Sequence, residues 1–305
     1  MFRMKSFPFI SLFCLIIPLT SCGKDPLPTI DSLVNDSVEI EEGQMYVPQQ
    51  LFRLSIFKIE PFSKNSQGMD IYDDHYMFQA GTEQNSIHII DLKESKAIGT
   101  ISFSDPAGEP CHMNNINCGL KMLSEDIFPT LYLSQTSNSR ACFVLHINNT
   151  GKSYELVQTI RYLGTEHYLK KSSFDWFIDV DNHFIYTYGY YNGDSDKREI
   201  MKFPLPSMEN ETVDFYDADI IDCFVLENQS IYQGSKMIDG LLYTPVGYGN
   251  YQRPARLIII DLNKKNVVLD VPIKCGEPES LGRYKNGAII CEGGKNPQYS
   301  FIRLK

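Results

Sequence analysis

From residue 49 onward the chain reads as short runs of apolar and β-branched residues, each bounded by clusters of Gly, Asn, Asp and Ser. Runs of strand length between turn-forming clusters predict β-strands. Apolar residues are not sustained at helical spacing over any long stretch, so an all-β chain is expected.

The runs repeat. Gln67-Gly68 is followed by Tyr76-Met77-Phe78, a polar tip, a run ending in Asp91-Leu92, and Gly108-Glu109-Pro110. Gln233-Gly234 is followed by Leu241-Leu242-Tyr243, a longer tip, a run ending in Asp261-Leu262, and Gly276-Glu277-Pro278. Gln and Asp are 24 residues apart in the first copy and 28 in the second, a difference that a hairpin tip absorbs cheaply.

Looser copies complete the series. Second strands are predicted at 75–79, 130–134, 183–189, 241–246 and 288–292, and third strands at 87–92, 142–147, 199–203, 257–262 and 300–304. Successive third strands start 55, 57, 58 and 43 residues apart, which is room for a four-stranded antiparallel unit. Repetition at this period predicts a β-propeller of five four-stranded blades, with six as the alternative count. A β-sandwich has no reason to repeat in this way.

The last run, 300–304, is a third strand, so its blade lacks a fourth. Residues 52–59 are a spare strand ahead of Gln67-Gly68. Pairing of the N-terminal strand with the C-terminal blade is expected to close the ring and remove its open edge.

Before the repeats the pattern changes. Arg3 and Lys5 precede an apolar run from Phe7 to Leu19, followed by Thr20-Ser21-Cys22. This is the order of a secretory signal, and the run is too short to span a bilayer core of about 20 helical residues. Leu19-Thr20-Ser21-Cys22 resembles the lipobox of bacterial lipoproteins. The resemblance implies cleavage before Cys22, a lipid on its thiol, and a membrane as first partner. Residues 23–48, with Pro26, Pro28 and scattered acids, have the composition of a tether. Three segments are therefore expected: a signal at 1–21, a tether at 22–48 and a propeller at 49–305. Within the tether, Asp31-Ser32-Leu33 and Asp36-Ser37-Val38 resemble the O-glycosylation motif of exported Bacteroidetes proteins.

Lipobox, tether, Gln-Gly and Asp-Leu repeats together resemble the TolB-like propeller lipoproteins of Bacteroidetes. That resemblance implies a lipid-anchored protein of the cell envelope, at the outer membrane of a Gram-negative bacterium. It transfers no catalytic residue. The family is built with six blades, whereas the repeats here count to five.

Charge narrows the partners. The formal net charge is −10, and residues 1–21 hold Arg3 and Lys5 but no acid, so their removal leaves −12. Such a surface repels phosphate backbones, and no nucleic-acid partner is expected. Of the eight cysteines, Cys14 lies in the signal and Cys22 at the lipid site. Cys142, Cys223 and Cys291 sit in strand-like runs as small hydrophobes. Cys111 and Cys118, in a loop-like stretch, are the candidate disulfide.

Candidate chemistry is expected on the face where chain enters the innermost strands, together with the tips between second and third strands. Tyr188, Tyr190 and Tyr191 cluster at one tip, Tyr248 and Tyr251 at another, and Trp176 stands on an inner strand. Such rings beside amides suit stacking on a sugar, although tyrosine is also ordinary strand packing. Asp70, Asp175, Asp179 and Glu279 are candidate channel carboxylates. A pair of them would be the minimum for glycoside hydrolysis, yet Asp-rich turns need no catalytic explanation.

The sequence 179–182 and the sequence 192–196 supply oxygens, but neither continues into a twelve-residue calcium loop. No metal or cofactor is expected. A nucleophile elbow, a zinc-protease helix and a phosphate loop are all missing from the sequence. The expected function is thus a binding or scaffold module for a glycan, peptide or protein partner, with a glycoside hydrolase as the alternative.

Overall fold

The computed structural model describes residues 48–54, 66–81, 85–108, 112–135, 140–165, 174–191, 194–227, 232–273, 275–293 and 298–304. The expected signal, Cys22 and nearly all of the tether lie outside the described residues, as does Cys111.

The chain begins with β1 (Pro48–Leu54) and then builds blade one from β2 (Ser66–Tyr72), β3 (Tyr76–Gly81), β4 (Ser86–Asp91) and β5 (Lys96–Ser102). Blade two holds β6 (Met113–Cys118), β7 (Leu131–Gln135), β8 (Ala141–Ile147) and β9 (Tyr154–Tyr162). In blade three β10 (Phe174–Asp179), β11 (Phe184–Tyr191) and β12 (Asp194–Pro204) precede β13 (Thr212–Phe215) and β14 (Asp222–Leu226). Blade four is β15 (Lys236–Ile238), β16 (Leu241–Val246), β17 (Arg256–Asp261) and β18 (Asn266–Pro272). Blade five is β19 (Pro278–Tyr284), β20 (Gly287–Glu292) and β21 (Gln298–Leu304), completed by β1.

The fold is therefore a five-bladed β-propeller. Inner strands β2, β6, β10, β15 and β19 touch their successors around the ring, and β19 touches β2. Closure occurs as expected, with β1 antiparallel to β21 and Phe52 opposite Phe301. The pairing strand starts at Pro48 and is described to Leu54, so it lies toward the N-terminal side of the expected 52–59 segment.

Each middle strand is buried on both sides because it lies between two neighbouring blades. Hence β4 and β17 read as near-continuous apolar runs, whereas the outer strands β5 and β18 are mostly exposed or half-buried. The described buried apolar residues fall into five clusters, one for each seam between blades. The hydrophobic effect thus acts between sheets, and no single central core is needed.

Both repeated motifs have local causes. Asp91 Oδ1 accepts the N–H groups of Lys93 (2.9 Å) and Glu94 (3.0 Å), and Asp261 Oδ1 accepts those of Asn263 (3.0 Å) and Lys264 (2.9 Å). Each Asp-Leu thus folds the turn between third and fourth strands, while Leu92 and Leu262 are buried beneath it. The Gln-Gly motif answers to crowding. A Cβ on Gly68 would lie 2.7 Å from the backbone carbon of Asn115, and one on Gly234 would lie 2.9 Å from Asn114 O. Inner strands of a five-blade ring approach too closely there for a side chain.

One strand departs from the four-per-blade pattern. Residues 205–221 leave blade three, and β13 pairs in parallel with β9, adding a fifth strand to blade two. Arg161 binds Asp214 at 2.6 and 2.7 Å, Gln158 Nε2 donates to Ser207 O (2.7 Å) and Asn210 O (2.8 Å), and Tyr162 bonds Asp217. The excursion straps the two blades together and covers an outer edge.

Cys118 is a buried thiol at the far end of β6. Cys111, its expected disulfide partner, lies outside the described residues. Among the described residues no helix is long and apolar enough to cross a membrane.

Candidate functional site

The inner strands define two faces. The approach face holds the connections into the inner strands and the tips between second and third strands; the exit face holds the turns from inner to second strand and from third to fourth. The exit-face turns lie within the described residues.

The channel between the faces is plugged at mid-depth. Lys236 Nζ, from blade four, bonds the buried Asp70 Oδ2 of blade one. Asp70 also accepts the N–H groups of Cys118 (2.7 Å) and of Ile71 (2.7 Å). Beside this pair, Asn115 Nδ2 donates to Trp176 O (3.0 Å) and Ser235 O (3.1 Å), and Asn117 Oδ1 accepts the N–H of Ile178 (2.8 Å). Amides and one ion pair thereby satisfy the polar groups of converging strands. Burial works against the Lys236 ammonium, but the carboxylate of Asp70 outweighs it and holds the lysine above its ordinary pKa. Burial and the neighbouring Asp70 charge push the Cys118 thiol well up, so it stays protonated and unreactive.

On the exit side of the plug a funnel of about 420 Å³ opens. Its wall includes Tyr72, Asp73 and Asp74 from blade one, Asp179 and Asp181 from blade three, Lys236 and Asp239 from blade four, and Arg283 from blade five. Asp73 (φ 51°), Asp74 (φ 48°) and Asp239 (φ 48°) adopt left-handed backbone, which Asp tolerates better than most residues. Arg283 pairs with Asp239 at 3.1 Å, and Lys236 is committed to Asp70. Asp179 accepts the N–H (3.2 Å) and the side-chain amide (2.9 Å) of Asn182, and Asp74 accepts the N–H of Lys285 (2.6 Å). Five wall aspartates against two cations leave the mouth negative.

The structure separates the expected carboxylates. Asp175 and Asp179 stand four residues apart on β10, hence about 13 Å apart along the strand, outside the spacing of a hydrolytic pair. Asp175 is fully buried, held by Asn114 Nδ2 (2.5 Å) and Ser134 Oγ (2.9 Å). Burial raises its pKa to about 7, against the pull of those bonds. Glu279, near the approach end of β19, is pushed up to about 8 by burial and by the charge of Glu277. Asp70 is taken up by Lys236 and Asp175 by Asn114 and Ser134, so neither stands as a free carboxylate in an open channel. Among the described residues no group of three or more acidic, His or Cys side chains is placed to hold a metal.

The aromatic candidates are also dispersed. Trp176 is buried in the seam between blades two and three, its Nε1 donating to Arg140 O at 3.3 Å. Tyr188 is fully buried in the next seam, edge-on to Tyr232 with centroids 4.6 Å apart. Both are packing residues, which corrects the expectation of a binding platform. Tyr190 is half-buried with the Arg198 guanidinium 3.9 Å from its ring centroid, and Tyr191 ends the same strand. Tyr248 and Tyr251 lie on the separate blade-four tip, and Tyr251 is fully exposed.

Lys236 escaped the sequence reading although a signal was present. Asp70 and Lys236 each stand three residues after the Gln of a Gln-Gly motif, opposite charges at equivalent positions of the repeat.

No family model matches this sequence, and no curated protein matches it. Among solved structures it is similar to the tail fiber of Staphylococcus aureus phage P68, at 14% identity and a TM-score of 0.54, over 83% of this chain and 53% of that one. It is also similar to a luciferin-regenerating enzyme (12% identity, TM-score 0.49, 84% of this chain and 96% of that one) and to the glutaminyl cyclase of Myxococcus xanthus (11% identity, TM-score 0.48, 85% and 96%). Likeness at these identities concerns the propeller fold and carries no chemistry.

Proposed function

We propose that this chain is a binding module of the bacterial cell envelope, of the TolB-like lipoprotein kind, tethered by a lipid on Cys22 and taking its ligand in the exit-face funnel. The signal order and the placement of Cys22 support the anchor. One observation carries the binding reading: five wall aspartates face two cations, both of which are already paired. A concave, acidic mouth with a sealed floor suits a cationic group of a partner. Its volume of about 420 Å³ matches a side chain or a small polyamine better than an oligosaccharide. The hydrolase alternative loses support because Asp70 and Asp175 are buried and committed to partners, and Asp175 stands too far from Asp179 along β10 to act with it.

Calorimetric titration of the full chain with tetralysine, compared with neutral glycans, tests this reading. Tetralysine should bind, weaken as salt rises, and weaken severalfold in Asp181→Asn and in Asp73→Asn. Exposure of Tyr251 beside Tyr248 favours a second reading, a glycan at the blade-four tip. Neutral-glycan binding that depends on Tyr251 and ignores Asp181→Asn would replace the funnel by that tip.

A further inference from the structure

An apolar groove of about 310 Å³ adjoins the funnel, and Gly119 and Val180 line both. One wall is the loop from β6 to β7, with Leu120 and Met122; the other is Leu205, Pro206 and Met208 from the start of the blade-three excursion. Leu120 is 63% exposed, Leu123 50%, and Met122 and Ile127 41% each. Four large apolar side chains on one loop of an acidic protein exceed the scattered exposure that needs no explanation.

The loop is braced rather than slack. Gly119 N–H donates to Thr130 O (2.8 Å) and Thr130 N–H to Leu120 O (2.9 Å), closing its base. Asp126 accepts the N–H of Leu123 (2.8 Å) and a bond from His146 (3.1 Å), and Asn149 Oδ1 accepts the N–H of Ile127 (2.6 Å). Polar bonds thus hold the apolar side chains outward in a fixed arrangement, which reduces the ordering cost of binding.

We propose that the exit face docks an extended segment of a protein partner in which a large apolar residue seated in the groove adjoins a lysine or arginine seated in the funnel. This rests on the funnel reading above and names its partner class. Charge complementarity selects the occupant: the groove, whose lining includes Lys121, opens beside a mouth of five aspartates, which attracts a basic side chain. The shared wall residues require the apolar and basic groups to be near neighbours in the segment.

Fluorescence polarisation of the full chain with three labelled decapeptides tests the proposal. One carries a leucine pair beside a lysine pair, the second has serines for the leucines, and the third has glutamates for the lysines. The leucine–lysine peptide should bind at least about tenfold more tightly than the serine–lysine peptide, as expected for burying a leucine. Leu120→Ser and Met122→Ser, at exposed positions, should abolish that tenfold difference while leaving serine–lysine binding and the thermal midpoint unchanged. Asp181→Asn should weaken both basic peptides, and the glutamate peptide should not bind. Equal binding of the two basic peptides would overturn the groove while leaving the funnel; failure of both peptides and of tetralysine would overturn both. Displacement of the peptide by phosphatidylcholine–phosphatidylglycerol vesicles, lost in Leu120→Ser, would assign the loop to a membrane instead.

Discussion

Lys236 Nζ reaches Asp70 Oδ2 from a blade that is not adjacent in the ring, so one ion pair spans the channel and floors the funnel. Blades four and one touch only through blade five or across the centre. The pair therefore reports how tightly five inner strands converge.

Lys236→Met leaves the Asp70 carboxylate buried without its cation and should cost about 3–5 kcal/mol. Adding Asp70→Asn should recover part of that loss, since no uncompensated charge then remains. Urea unfolding of the single and double variants measures both effects. A cost under about 0.5 kcal/mol for Lys236→Met, the range of ordinary surface changes, would show that the pair is effectively solvated.

Gly68→Ala should destabilise by about 1–3 kcal/mol or more, because its Cβ meets backbone rather than a movable side chain. Gly108→Ala provides the comparison. A Cβ there meets nothing, and its cost comes from the φ of +74° alone. Thermal unfolding of the two variants should rank them in that order.

Stability should fall as pH rises through the neutral range. Asp175 and Glu279 have folded pKa values raised to about 7 and about 8, from ordinary values of 3.8 and 4.5. Both are raised acids, so the folded state binds more protons than the unfolded one. Their contribution is complete below the unfolded values and is lost as pH climbs through the folded ones. Asp175→Asn should flatten the slope between about pH 4 and 7, and Glu279→Gln between about pH 4.5 and 8, each by up to about 1.4 kcal/mol per pH unit. Unfolding free energies measured across pH 4–9 test this, and unchanged slopes would contradict it.

Trp176→Ala should cost about 3–5 kcal/mol as a cavity in the seam between blades two and three. Tyr251→Ala, fully exposed, should leave stability within about 0.5 kcal/mol. Chemical denaturation separates the two. Loss of ligand binding in Trp176→Ala would then report unfolding, not a lost contact.

Much of the architecture was legible because a propeller repeats its instructions. The second strand of blade four occupies the expected 241–246, and each other second and third strand overlaps its expected segment. Gln-Gly and Asp-Leu were visible as motifs, but their reasons were not. The first depends on how near Asn115 comes to Gly68 across a seam, and the second on which backbone amides an aspartate caps. The excursion carrying β13 left little trace, since a four-residue parallel strand has no periodicity to read.

The candidate site was less legible. Asp179 was singled out, yet the funnel it lines opens on the face opposite to the one expected. Tyrosines and Trp176 looked alike as strand residues, whether they faced a seam or stood at a tip. Only neighbouring sheets distinguish the two cases.

Taken by itself, the order of apolar runs determined an all-β ring of repeated units closed by its ends, because strand period and blade period are properties of the chain alone; it counted five units with six left open, and the structure decided for five. Tertiary structure decided which polar side chains meet. Asp70 and Lys236 are 166 residues apart, and their contact arises from the small radius of a five-blade ring, a distance that no local pattern encodes.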